Sequence, residues 1–225
     1  MQECNQFDSQ TVYEHGLSVQ SVFIDLYNKD FKDYPIPNWL INNFNFIKSK
    51  LLNYEQILEY TLFHDVGKPF CIKTVDNIRH FPNHAEVSYD IYNKYFDNKD
   101  VAYCILHDMD IHTIKDKDIN SFINKYTYTL LFVGLAEILA NAKYFGGYDS
   151  TSFKIKYKQI NKRGNAIMIK ELEKLQKDFE SESLEIKILK KRLMEKETIM
   201  VGLKKQIDDL KEKIRVDNLK KGLDE

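Results

Sequence analysis

At 225 residues and 43% hydrophobic, the chain is long enough to bury one or two cores, which excludes a disordered or fibrous polypeptide. A net charge of -1 excludes a global drive toward nucleic acid or an anionic membrane, so any polyanion site must be local. With 14 Tyr and 14 Phe against 8 Gly and 4 Pro, the composition favours long helices with short connections over a turn-rich β architecture. Cys4, Cys71 and Cys104 are widely spaced and form no CxxC pair, so neither a disulfide framework nor a thiolate zinc site is expected, and a reducing cytoplasm fits. The start, "MQECNQFDSQ", is polar and acidic, and the longest apolar run, residues 130–136, stops at Glu137; no signal peptide, membrane span or membrane partner is expected.

Apolar residues recur at helical spacing around residues 17–27, 39–52, 57–63, 87–96, 101–106 and 126–145, which predicts an all-α domain of about six helices. The breaks carry stop and start signals: "DYPIPN", "GKPF" and "FPNHAE". In the last, Asn83 can cap the following helix with Glu86 reaching back, which puts His84 in a first helical turn.

The texture changes at "NKRGNA", residues 161–166. All six histidines, the single Trp and all four prolines lie before it, and no Tyr follows it. We place a boundary there, with one domain over residues 1–164 and a helix over 165–225. Taking Leu172 as heptad position a, the a and d positions run Leu172, Leu175, Phe179, Glu182, Ile186, Leu189, Leu193, Lys196, Met200, Leu203, Ile207, Leu210, Ile214 and Asp217, and only Glu182, Lys196 and Asp217 break the apolar seam. A helix of about 45 residues spans roughly 70 Å, too long for the first domain to cover. A long C-terminal coiled coil is expected, most simply a parallel homodimer through residues 170–217; the alternative is a charged helix, solvated or folded back. Gly202, at position c, weakens its middle either way.

Two histidines stand directly before aspartates: "YTLFHDVGKPF" at residues 60–70 and "AYCILHDMDIH" at residues 102–112. Imidazoles and carboxylates from separate helices are what a first-row metal needs. His15, His64, Asp65, His84, His107 and Glu137 are the candidate ligands. Asp65 is about 100° around a helix from His64, so both can reach one ion only where the helix ends, and Gly67 and Pro69 supply that ending. Pro82 and Asn83 deny His80 and His84 a continuous helix, which leaves His80 for a substrate-contacting loop. His107 falls near a helix end, where it can also serve the helix dipole. Asp108, Asp110 and His112 lie in a polar turn and are expected to be solvated, although Asp108 can replace or join His107. Glu137 interrupts "YTLLFVGLAEILANAKYF", and a buried carboxylate needs a metal or a salt bridge, here to Lys143.

The order His15, His64-Asp65 with Gly67 and Lys68, His84, His107 and a late acid resembles the HD-domain superfamily of metal-dependent phosphohydrolases over about 150 residues. The wording of "TVYEHGLSV", "LFHDVGKP" and "HFPNHAEVS" is most similar to the HD domains of bacterial CCA-adding enzymes and RNA-repair kinases. One departure is Glu137, where that family normally has an aspartate; Asp149 is a backup. The resemblance implies an HD-type helical domain in which His15, His64, Asp65 and Glu137 hold one divalent transition metal (Mn, Fe, Co, Ni or Zn). Asp65 would bridge to a second ion held by His84 and His107, about 3.5–4 Å away. Asp65 and Lys68 would be the catalytic residues, the lysine meeting a phosphate oxygen or, failing that, being solvated. The implied reaction is hydrolysis of a phosphomonoester or cyclic phosphodiester of a nucleotide or RNA end. "FKIKYKQINKR", with Lys154, Lys156, Lys158, Lys162 and Arg163, is either a backbone contact or a solvated helix face. Two rival classes remain: a catalytically silent HD-fold scaffold assembling through its coiled coil, and a di-iron oxygenase.

Overall fold

The computed structural model describes residues 1–7, 9–31, 33–76 and 78–221, and the chain divides into two compact units, Met1–Lys170 and Glu171–Glu225. The fold is mostly helical. In the first unit the six predicted helices correspond to α1 (Val12–Tyr27), α2 (Asn38–Lys50), α3 (Tyr54–Phe63), α5 (His84–Tyr95), α6 (Lys99–Leu106) and α9 (Thr127–Ala140). One-turn helices α4 (Lys68–Cys71), α7 (Asp110–Thr113) and α8 (Ile119–Phe122) stand between them. The all-α expectation is incomplete: β1 (Asn5–Phe7) pairs antiparallel with β2 (Gln10–Thr11), and β3 (Lys73–Val75) with β4 (Ile78–His80). Strands of two or three residues are too short for an alternating pattern to reveal.

α9 is apolar on every side and buried almost throughout, so it forms the centre on which α1, α2 and α7 pack. α1 begins at a capping box, where Thr11 Oγ1 accepts from Glu14 N and Glu14 Oε2 accepts from Thr11 N. From that start His15, Val19, Val22 and Leu26 fall on one buried face, so His15 is directed into the protein. The expected capping box at α5 does not form. Asn83 occupies the N-cap position at φ 54°, in the left-handed region, and its side chain makes no cap hydrogen bond. A capping side chain needs extended backbone to reach the free amides, and this one lacks it. His84 does occupy the first turn.

The last helix, α10 (Thr151–Lys221), contributes residues to both units. The composition change at residues 161–166 falls inside it, and Phe153, Ile160 and Ile167 belong to the core of the first unit. In the second unit the seam residues Leu172, Leu175, Phe179, Ile186, Leu189, Leu193, Met200, Leu203, Ile207 and Leu210 are all exposed. The side chains of Ile214 and Asp217, and residues 222–225, lie outside the described residues.

Two glycines of α10 should respond oppositely to alanine. A Cβ on Gly164 would press into the Trp39 indole, whereas one on Gly202 meets nothing within 4 Å. Gly164→Ala is expected to destabilise the first unit by about 2 kcal/mol, overpacking outweighing helix propensity. Gly202→Ala is expected to stabilise the helix by about 0.5–1 kcal/mol. Thermal unfolding of the two variants checks both signs.

Candidate metal centre

The first approach that builds the site is between α1 and the end of α3. A Cβ on Gly16 would stand 2.9 Å from the Leu62 carbonyl oxygen, so only glycine lets the helices come this close. That approach puts the His15 and His64 rings edge to face at 5.2 Å. α3 stops at His64, and the turn that follows swings Asp65 to the same side, as the Gly-Pro ending predicts. The second approach is at Gly67, where an added Cβ would overlap the backbone of α5 and whose amide donates to Ser88 Oγ at 2.9 Å. It brings His84 to the Asp65 carboxylate.

Asp65 is the hub. Its Oδ2 lies 3.3 Å from His64 Nε2 and 3.5 Å from His15 Nε2, and it accepts from Lys68 Nζ; its Oδ1 lies 3.6 Å from His84 Nε2. Glu137 Oε1 enters from α9, 3.9 Å from His15 Nε2. Donor atoms of His15, His64 and Glu137 all lie within 4.8 Å of one another. Most of these separations are too long for good hydrogen bonds. Donors about 2.1 Å from a shared ion would stand about 3.0–3.4 Å apart, so modest closure gives a coordination polyhedron.

Orphaned polar atoms and fixed tautomers agree with that fit. His15 Nδ1, His15 Nε2, His64 Nε2 and Asp65 Oδ1 are buried without a hydrogen-bond partner, and such groups are costly unless something else satisfies them. His64 Nδ1 is 2.9 Å from the Thr61 carbonyl, and His84 Nδ1 is 2.9 Å from the Phe81 carbonyl. A carbonyl only accepts, so each Nδ1 carries hydrogen, which leaves Nε2 as the nitrogen facing Asp65 and the one free to ligate once deprotonated.

Charge is balanced tightly. Burial lowers His15 to about 4, with Asp65 and Glu137 only partly offsetting it. Burial also opposes charge on His64, but the carboxylates of Asp65, Asp108 and Glu137 outweigh it and raise that imidazole to about 10. Asp65 is held well below the ordinary carboxylate range, because Lys68, His64 and His15 overcome the effect of burial. Glu137 is likewise held down against burial by His112, then His64 and His15.

The remaining candidates divide. Lys68 is buried, its Nζ donating to Asp65 and to Gln6 Oε1 at 2.9 Å, so it belongs to the cluster and is not a solvated lysine. His80 ends β4 and is exposed. His107 caps α6 at its C-terminus; its ring lies against Tyr103 and its Nδ1 is 2.7 Å from Asp110 Oδ2, so these contacts lead away from Asp65. Asp149 is exposed and paired with Lys154. Glu137 does not use Lys143, which lies over the Tyr144 ring.

Two residues expected in a solvated turn instead lie beside the cluster, Asp108 buried and His112 half-buried. His112 Nε2 is 3.0 Å from Glu137 Oε2, and Asp108 accepts from the Tyr60 hydroxyl. Burial raises the Asp108 carboxyl, and Glu137 adds to the effect. Asp108 precedes α7 and His112 lies within its single turn beside buried Ile111, so no helical period marked either as part of the cluster. No protein-family model, curated protein or solved structure matches this chain.

Proposed function

We propose that this chain is an HD-type, metal-dependent phosphohydrolase that cleaves a phosphomonoester or cyclic phosphodiester of a nucleotide or RNA end. One observation carries the reading: three buried residues from two separate segments, His15 on α1 and His64-Asp65 at the end of α3, leave polar atoms unsatisfied beside the place that Glu137 enters from α9, and donor atoms of His15, His64 and Glu137 lie within 4.8 Å of one another. His15, His64, Asp65 and Glu137 would hold one divalent transition ion, for which imidazole and carboxylate donors are suited. His84, beside Asp65 Oδ1, would serve a second. The bound metal supplies Lewis acidity and lowers the pKa of water. The chain's own groups do the rest: the Thr61 and Phe81 carbonyls fix the imidazoles, and Lys68 places an ammonium beside Asp65 where a phosphate oxygen is to be held. The substrate class rests on the resemblance of "LFHDVGKP" and its companion motifs to HD domains.

The homodimer through residues 170–217 belongs to the same proposal, supported by the exposed apolar seam. A cytoplasmic setting is supported by the three free cysteines. No helix among the described residues is long and apolar enough to cross a membrane.

The test is hydrolysis of p-nitrophenyl phosphate, 2',3'-cyclic nucleotides and 3'-phosphorylated oligoribonucleotides with added Mn, Co, Ni or Zn. Metal-dependent phosphate release or ring opening is expected. No turnover by metal-loaded protein overturns the reading in favour of the scaffold, and a visible iron absorption that changes with oxygen does so in favour of the oxygenase.

His112 should set the position of Glu137. His112→Ala is expected to weaken metal binding about 10–100-fold, the usual cost of losing a partner behind a ligand. His112→Gln, which restores an N–H near the Nε2 position, is expected to recover most of it. Competition against a chromophoric chelator reads both.

A further inference from the structure

The α6–α7 turn has two sides. One gives Asp108 and His112 to the cluster around Glu137; the other gives His107, Asp110 and Thr113 to an open cleft of about 410 Å³. This cleft shares Ile114, Lys115 and Lys117 with a second depression of about 470 Å³, whose other lining residues include Asp116, Lys162 and Arg163. The second depression thus sets four cations against one carboxylate, Asp116, which pairs with Lys162, and the first cleft adds Asp110 and Asp118, so the joined clefts keep a cationic excess of one in a chain whose net charge is -1. Arg163 is fixed at its wall, its Nε donating to the Ile114 carbonyl at 3.2 Å. At the other end, Tyr126, Tyr103 and His107 form a column of rings with successive centroids 4.0 and 4.1 Å apart, and His107, half-buried, ends it at the cleft.

We infer that these joined clefts bind the strand of a single-stranded RNA, with backbone phosphates on Lys115, Lys117, Lys162 and Arg163 and a base added to the column at His107. Aromatic platforms beside a cationic groove are how single strands are held without sequence preference. The inference rests on the proposed hydrolysis of RNA ends and narrows it: the strand is gripped outside the metal cluster, so an RNA is preferred to a free nucleotide. It also separates the basic residues of "FKIKYKQINKR". Lys162, paired with Asp116 at the groove wall, and Arg163 line the groove, while Lys154 and Lys156 lie outside it, Lys154 beside Asp149 and Lys156 over Phe145.

The test is fluorescence anisotropy of a labelled ten-nucleotide RNA on full-length protein in chelator, where binding is read without turnover. Lys115→Glu combined with Lys117→Glu is expected to weaken binding at least tenfold and to reduce the slope of log affinity against log salt by about 1.4, two single-strand phosphate contacts. His107→Ala is expected to weaken it severalfold with the slope unchanged. Lys154→Glu, outside the groove, should bind within twofold of wild type. Wild-type protein that fails to bind RNA, or a double reversal that binds within twofold, overturns the inference. RNA binding that depends on the groove, without hydrolysis under any metal, leaves it standing and sinks the proposed function. Hydrolysis of RNA and mononucleotides at equal rates, indifferent to the reversals, does the opposite.

Discussion

Asp65→Asn, purified without chelator, is expected to carry no transition metal, to bind added metal at least a thousandfold more weakly than wild type, and to hydrolyse phosphoesters at background rate. The size follows from its place. Asp65 is buried, and its carboxylate faces His15, His64, His84 and Lys68 together. The substitution keeps the shape and removes the charge, leaving His64 and Lys68 without the anion that holds them. Stability is therefore expected to fall as well, by about 3–5 kcal/mol, as for a broken buried pair. Near-UV circular dichroism below the melting temperature separates folded, metal-free protein from unfolded protein. Full metal retention by a folded Asp65→Asn would remove Asp65 from the ligand set. Glu137→Gln checks the remaining donors, and a smaller loss is expected because, among the described residues, Glu137 pairs with His15 and His112 alone.

Metal uptake should also be pH-dependent, with a sign fixed by His64. In the metal-free fold its imidazole stays protonated up to about 10, whereas His15 is neutral above about 4. A ligand must be deprotonated, so His64 has to surrender a proton that its carboxylate neighbours favour, and His15 has none to lose. Uptake at pH 7 is expected to release about one proton per chain, and affinity should rise about tenfold per pH unit between pH 6 and 9. Calorimetry in buffers of different ionisation enthalpy counts the proton. Affinity independent of pH over that range would mean that His64 does not ligate.

What could be read from the chain alone was whatever is local. The end of α3 at His64 is written in Gly67 and Pro69, and Glu137 stands out because a carboxylate interrupts a helix that is otherwise apolar. The partnership of His112 with Glu137 was not legible, because it joins residues far apart in sequence and α7 is a single turn with no period to detect. His107 stands at a helix end, as a ligand could, and there its Nδ1 meets Asp110, three residues on. The start of α10 was obscured for a different reason. Composition at residues 161–166 tracks how much of the helix is covered, and a helix can run unbroken through a change of cover. The hairpins and the left-handed Asn83 depend on backbone geometry that no side-chain pattern records.

Full-length protein is expected to sediment as a dimer at micromolar concentration, and Leu189→Asp to sediment as a monomer with its metal content and hydrolysis within twofold of wild type. Ten apolar a and d side chains of the second unit are exposed, and burying each against a partner is worth roughly 1.5–3 kcal/mol before the entropy of association is subtracted. One aspartate at the middle of that seam removes a buried leucine and buries a charge, which is expected to raise the dimer dissociation constant by about three decades, or about 4 kcal/mol. Activity should survive because every residue of the metal cluster belongs to the first unit. Two d positions then test the geometry as well as the association. In a parallel, in-register pair Glu182 meets Glu182 and Lys196 meets Lys196, like charges at positions that favour leucine. Lys196→Leu is therefore expected to tighten the dimer about tenfold or more, although the residue is exposed in the single chain. A dimer dispersed by Leu189→Asp but indifferent to Lys196→Leu would keep the seam and refute the parallel register. A full-length monomer at tens of micromolar would assign the seam to a different protein, because so long an apolar stripe is not stable facing water.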